Sequence, residues 1–212
     1  MIDYLDDWTA ALKWFSSPDY DLLLEQLDRD GDLVQPAPEV MLNAYRWFPP
    51  EATKVVILGD HPEEGTSTGL AFAVPLEQRS PTMDNILLEL ELDCGEVPDD
   101  CTLTGWARQG VLLLNTTLSR LSGDPTAHSK LWTGLIRETI SLVATVSPTA
   151  VFVFWGSAAL NYRSILRRSH HYINSAHPHP DTAGLGFFGS RPFSITNAAL
   201  ISSGHSPINW AA

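Results

Sequence analysis

Residues 54–75, KVVILGDHPEEGTSTGLAFAVP, constrain the fold more than any other stretch of the chain. Val55, Val56 and Ile57 form a β-branched run without polar alternation, the pattern of a strand buried on both faces in a parallel sheet. The run stops at Gly59 and breaks into an acidic, glycine-bearing loop around Pro62. Ligands of open α/β sheets bind just beyond the carboxyl ends of strands, which makes Asp60, His61, Glu63 and Glu64 candidate site residues. An ordinary solvated loop is the plainer reading of the same residues.

Residues 110–114 and 150–155 predict two further strands, and residues 171–175 a short fourth. Polar residues again follow each one: Asn115, Ser157 and His177. Between them, Ser80-Pro81-Thr82 opens a helix to residue 92, and residues 129–145 place Leu131, Leu135, Ile136, Ile140 and Val143 at helical spacing. A helix after Ser157 carries Arg163, Arg167 and Arg168, and residues 192–203 form the last helix. Residues 4–16, 19–27 and 38–48 read as helices that cover the sheet, and residues 119–128 as a loop. Strands alternating with helices predict a parallel sheet covered on both faces, with right-handed crossovers. The chain contains no internal repeat and no GxxxxGK[ST] or GxGxxG phosphate loop.

At 212 residues with 44% hydrophobic side chains, the chain suits one compact domain, residues 1–212, with residues 1–50 as a helical N-terminal cover. The apolar runs are too short to span a membrane and the acidic N-terminus does not resemble a signal peptide, so a cytoplasmic protein is expected; as a separate expectation, it acts as a monomer. Cys94 and Cys101 form no CxxC pair and cannot build a disulfide framework, a four-cysteine metal site or an iron–sulfur site. No metal or cofactor is expected. A net charge of −12 argues at first against nucleic acid. Its distribution argues otherwise: residues 1–100 hold 22 acids and 5 bases, residues 101–212 hold 3 acids, 8 bases and six of the seven histidines. A polyanion could meet a basic face built from the C-terminal half, or the asymmetry could be accidental.

Several motifs then appear in order. TGWARQGVLLLN (Thr104 to Asn115), VFWGSAA, HPHPDTAGLGFFGSRPFSITNAAL and SPINW resemble the GWAKQGVLLLN, LLWGS, HPSPLS…GFFG…HFS..N and PIDW segments of the uracil-DNA glycosylases. The similarity runs from Lys54 to Trp210, about three-quarters of the chain. It implies a three-layer α/β/α sandwich around a four-stranded parallel sheet, and hydrolysis of the N-glycosidic bond of a nucleotide flipped out of DNA. A base cannot be attacked inside the stack, so such an enzyme needs a pocket with a stacking ring and a polar reading edge. Phe72 resembles the stacking phenylalanine of the family. Asn115 resembles the asparagine that reads the pyrimidine N3 and O4 edge, and His177 the histidine that hydrogen-bonds O2 and stabilises the departing base.

The first motif departs from the family. Gly-Gln-Asp-Pro-Tyr-His-Gly is replaced by Gly59-Asp60-His61-Pro62-Glu63-Glu64-Gly65. Aligned on Pro62, the water-orienting aspartate becomes His61, the glutamine Asp60 and the tyrosine Glu63. A neutral His61 cannot supply the anion that stabilises an oxocarbenium-like transition state, so Asp60 is the expected catalytic carboxylate beside His177. A thermophilic branch of the family carries its acid at that position, in Gly-Glu-Ala-Pro-Gly. Glu63 removes the aromatic wall that rejects thymine, and Glu63 or Glu64 could accept hydrogen bonds from a hydroxylated C5 substituent.

The DNA-gripping positions differ as well. Thr82, His179 and Thr182 match the serines that pinch phosphates, and Asp181 stands where the family inserts a leucine. Leu185 is the candidate wedge, although a core position is equally consistent. His128 resembles a phosphate contact, and Ser157 and Arg191 lie beside site segments. Three readings stay open: a glycosylase for C5-modified pyrimidines of the hydroxymethyluracil or glucosylated hydroxymethylcytosine type, with a role in defence against modified phage DNA; an ordinary uracil-repair enzyme; and a catalytically silent DNA-binding homologue.

Overall fold

The computed structural model describes residues 2–75, 77–167 and 169–212. Its strands are β1 (Val34–Gln35), β2 (Val55–Gly59), β3 (Val111–Asn115), β4 (Arg120–Leu121), β5 (Val151–Trp155) and β6 (His171–Ser175). The helices are α1 (Leu5–Ala11), α2 (Pro18–Asp30), α3 (Pro38–Met41), α4 (Pro81–Cys94), α5 (Thr104–Ala107), α6 (Ser129–Val146), α7 (Ser157–Leu160), α8 (Pro180–Ala183) and α9 (Pro192–Ser202).

The four long strands form a parallel sheet in the order β3-β2-β5-β6. Every residue of β2, β3 and β5 is buried, the expected result for β-branched and aromatic runs inside a sheet covered on both faces. β6 lies at an edge and is largely exposed, in keeping with its polar sequence. Helices α4 and α9 pack together, with α9 against β5 and β6, and α6 packs with α2 in the other helical layer. Trp8, Leu12, Trp14 and Leu23 join the same hydrophobic cluster as the sheet, so the N-terminal segment is built into the core.

Several elements differ from the sequence expectations. The first helix ends at Ala11 because Leu12, buried in the core, takes an extended conformation before a 3-10 turn at Lys13–Ser16. The helix expected over residues 38–48 is α3 followed by a 3-10 turn at Asn43–Arg46. After α7 the chain continues only as a 3-10 turn, Asn161–Ile165, so Arg167 lies beyond it and Arg168 falls outside the described residues. The segment read as a loop over residues 119–128 contains β4, which pairs antiparallel with β1. No described helix is long and apolar enough to cross a membrane.

The register brings the strand ends level. Gly59 pairs with Asn115, and Trp155 with Ser175, so Asp60, Thr116, Gly156 and Ala176 all leave the sheet at one edge. A cavity of about 900 Å³ opens there.

Candidate active site

The base of the loop after β2 is fixed by the backbone. The Gly59 carbonyl accepts from Thr116 N (3.0 Å), and the Asp60 carbonyl accepts from Thr117 N (3.1 Å) and Thr116 Oγ1 (2.7 Å). This prolongs the β2–β3 pairing by one residue and holds Asp60 at the sheet edge. Its half-buried carboxylate makes no hydrogen bond or ion pair among the described residues, and it lines the main cavity together with His61, Glu63, Phe72 and His177. Asp60 also borders a smaller neighbouring cavity of about 480 Å³, lined by Thr117, Arg137 and Tyr162 among others.

Phe72 and Asn115 meet over Gly59. A Cβ built on Gly59 would lie 2.6 Å from Asn115 Oδ1 and 2.8 and 2.9 Å from two atoms of the Phe72 ring. Glycine is therefore needed for space, since no side chain fits between the ring and the amide. Phe72 adopts a left-handed conformation (φ 67°) and packs against Trp155, with centroids 5.0 Å apart, and His177, at 5.6 Å. Such backbone strain in a bulky residue persists only where the surroundings over-determine it. The Ala71 amide, bonded to the Leu113 carbonyl (3.0 Å), pins this turn to β3. Asn115 is 6% exposed and does not line the open cavity itself, lying sunk beside the ring; its amide makes no hydrogen bond among the described residues.

His177 follows β6 and approaches the chain at Gly156 (φ +97°), where an added Cβ would lie 3.0 Å from the His177 Cβ. The His179 amide donates to His177 Nδ1 (3.0 Å), so the proton of the neutral ring sits on Nε2. Burial depresses the His177 pKa to about 4; Asp60 opposes that shift, while His61 and His179 add to it. The ring is thus a neutral donor at physiological pH. Between its ordinary value of 6.5 and about 4 the unfolded chain binds a proton that the folded chain does not. Stability should therefore fall on acidification through that window by about 2 kcal/mol, with a smaller loss in His177→Gln, as urea titrations at pH 7 and 4.5 would measure.

Other predicted residues divide sharply. Ser157, His179, Thr182 and Leu185 line the cavity, and Leu185 is 78% exposed, which excludes the core position and suits an insertion role. Thr82 lines it too, buried in the first turn of α4, where Ser80 Oγ caps the Met83 amide (3.1 Å). The Thr182 hydroxyl already donates to the His177 carbonyl (2.9 Å), so it braces this loop rather than pointing free toward a phosphate.

Two assignments, His128 and Glu64, are corrected, and a third, Arg191, lies apart from the cavity. His128 is 1% exposed, with Nδ1 against Ser119 Oγ (2.8 Å) and Nε2 against Asp30 (3.0 Å), so both nitrogens serve the interior and neither can reach a phosphate. Arg191 lies outside the cavity, its exposed guanidinium beside Asp93 (3.2 Å), which leaves a DNA contact there open. Glu64 is committed to the loop rather than free for a substrate: Oε1 takes Ser122 Oγ (2.8 Å) and the Gly123 amide (3.1 Å), and Oε2 takes Arg120 Nη2 (2.7 Å), so three of its acceptor positions are filled.

Arg120 was not anticipated from sequence. Its side chain is 8% exposed, and besides Glu64 it donates to the Pro62 carbonyl (3.4 Å) and the Leu121 carbonyl (3.3 Å). Gly65 N donates to Gln35 Oε1 (2.9 Å), so the β1–β4 ribbon clasps both sides of Glu64. Ser122 and the Gly123 amide, then Arg120, hold the Glu64 carboxyl below the usual carboxylate range. The clasp should accordingly survive mild acid. Arg120→Met should loosen it, seen as faster amide exchange at Gly65 with the sheet amides unchanged.

Among the described residues, Arg120 is the one arginine or lysine that lines the cavity. Arg120 there is matched by Asp60, Glu63, Glu64 and Asp181, while Arg163 stacks on Tyr172 at 3.9 Å and Arg108 on Trp47 at 5.7 Å.

The model of the uracil DNA glycosylase superfamily matches residues 45–201. The uracil-DNA glycosylase of Bacillus velezensis is 40% identical over 214 aligned residues, which cover 97% of this chain and 94% of that protein. The chain belongs to the uracil-DNA glycosylase superfamily. The uracil-DNA glycosylase of Streptococcus gordonii is 42% identical, covering 89% of this chain and 88% of its own. In fold, mimivirus uracil-DNA glycosylase superposes with a TM-score of 0.87 at 23% identity, over 98% of this chain and 87% of that one. The α/β sandwich with its four-stranded parallel sheet is thus the fold of the superfamily.

Proposed function

We propose that the chain is a monofunctional DNA glycosylase that hydrolyses the N-glycosidic bond of a pyrimidine flipped out of DNA, with uracil as the first base to test. One observation carries this reading: Asp60, whose carboxylate has no partner among the described residues, and a neutral His177 donor line the same cavity, with Phe72 between the strand ends. The flipped base stacks on Phe72. Nε2–H of His177 donates to O2 and stabilises the negative charge that develops as the C1′–N1 bond breaks, worth about 3 kcal/mol by comparison with an oxyanion donor. Asp60 stabilises the positive charge growing on the sugar, and water adds at C1′ to leave an abasic site.

The names of the relatives favour uracil over the modified-base reading. Glu63 supports that second reading. It stands half-buried in the cavity wall at the position of the family tyrosine, and a carboxylate there admits a larger, hydroxylated C5 substituent. A role against modified phage DNA would follow from that reading alone.

Matched duplexes containing uracil, thymine, 5-hydroxymethyluracil, 5-hydroxymethylcytosine and its glucosylated form decide the matter, with the free base and the abasic strand both quantified. Release of uracil alone supports the repair reading, and release of the larger bases the second. A protein that binds these duplexes and releases nothing is the silent homologue.

A further inference from the structure

Three imidazoles line the base cavity, and two of them, His61 and His177, are set in opposite tautomers. At His177 a backbone N–H occupies Nδ1, so the ring presents Nε2–H. At His61 the partner of Nδ1 is the Pro62 carbonyl (3.2 Å), which can only accept, so the neutral ring carries its proton on Nδ1 and keeps a bare lone pair on Nε2. The Pro62 carbonyl is itself held by Arg120, whose guanidinium is anchored to Glu64. The orientation of His61 is therefore built into the loop. Both rings line the cavity with Asp60 between the strand ends, and His61 is near enough to His177 to perturb its charge.

We propose that His61 is a second catalytic residue, the general base that accepts a proton from the attacking water. The proposal rests on the glycosylase reading above and divides the labour within it. As the C1′–N1 bond breaks, its electron pair leaves with the base, whose O2 is hydrogen-bonded by His177. The water oxygen forms the new bond to C1′, and one water proton passes to Nε2 of His61, from which it returns to solvent or to the released base. Asp60 supplies charge rather than proton transfer. An imidazole with a free lone pair suits the first task and a carboxylate the second.

The charged and titratable groups around His61 are Asp60, Glu63 and Glu64 on its own loop, Arg120 on the ribbon, and His177, His179 and Asp181 on the segment after β6. His177 titrates at about 4, so it contributes no acid limb near neutrality. Single-turnover release of base should fall on acidification in the wild type, because protonation fills the Nε2 lone pair. His61→Asn should lower the plateau rate about 100-fold and remove that limb. His61→Asp, which restores a basic side chain, should recover part of the rate. Binding to a duplex carrying uncleavable 2′-fluoro-2′-deoxyuridine should stay within twofold in both variants, which separates catalysis from folding and affinity. A His61→Asn protein with a rate within threefold of wild type and the acid limb intact overturns the assignment while leaving the glycosylase reading in place. A wild type that releases no base from any duplex overturns both.

Discussion

Asp60→Asn should lower single-turnover base release by about a thousandfold while affinity for uncleavable substrate changes little. Asparagine keeps the size and polarity of the side chain and removes only the charge. That charge is unusually free to act: the carboxylate has no bond among the described residues, while the main chain of the same residue is clamped by Thr116 and Thr117. Preorganised polar or charged groups aimed at the charge that develops in a transition state commonly contribute a factor of about 10² to 10³. The control is Glu64→Gln, which removes a carboxylate from the same loop but one already bonded to Arg120, Ser122 and Gly123. Its effect should be confined to loop order, with a rate within about tenfold of wild type. Equal losses in the two variants would mean that the loop, not the Asp60 charge, is what matters.

Gly59→Ala should strike directly at the packing of the Phe72 ring and the Asn115 amide. The new carbon would arrive 2.6 Å from Asn115 Oδ1 and under 3 Å from two Phe72 atoms. The ring cannot retreat easily, since Trp155 and His177 pack against it and its own backbone is already in the left-handed region. Overpacking of this kind costs about 1–3 kcal/mol. The larger consequence falls on activity, expected to drop about 100-fold through displacement of the stacking ring. Gly65→Ala provides the contrast: φ is +74° but no atom lies within 4 Å, so only the conformational cost of about 1 kcal/mol applies and the ring stays in place. Melting temperature and base release measured on both variants separate steric from conformational demands.

The sheet was legible because its signal is local. Val55 to Ile57, Leu112 to Leu114 and Phe152 to Phe154 are apolar without alternation, and a polar residue follows each run within three positions, so the strands and the polar edge of the sheet follow from the pattern. Phe72 and His177 were recognisable from their motif, and both line the cavity. What escaped depends on pairing at a distance. Glu64 reads as a free acid on an exposed loop until Arg120, fifty-six residues on, is folded against it. His128 reads as a surface donor until Asp30 and Ser119 enclose it. The C-terminal arginines predicted a basic face, but several of them are turned onto aromatic rings or carboxylates. The requirement at Gly59 is likewise invisible in sequence, because φ is ordinary there and only the approach of two side chains from other elements demands glycine.

The clasp formed by Gln35, Arg120 and Glu64 ties the reactive loop to a segment that precedes the whole parallel sheet. An amino-terminal truncation that spares every strand of that sheet would still slacken the hinge on which His61 and Glu63 are mounted. Tolerance of mutations near residue 35 should therefore track turnover more closely than melting temperature, which makes this remote stretch a practical handle for tuning base choice without touching the cavity.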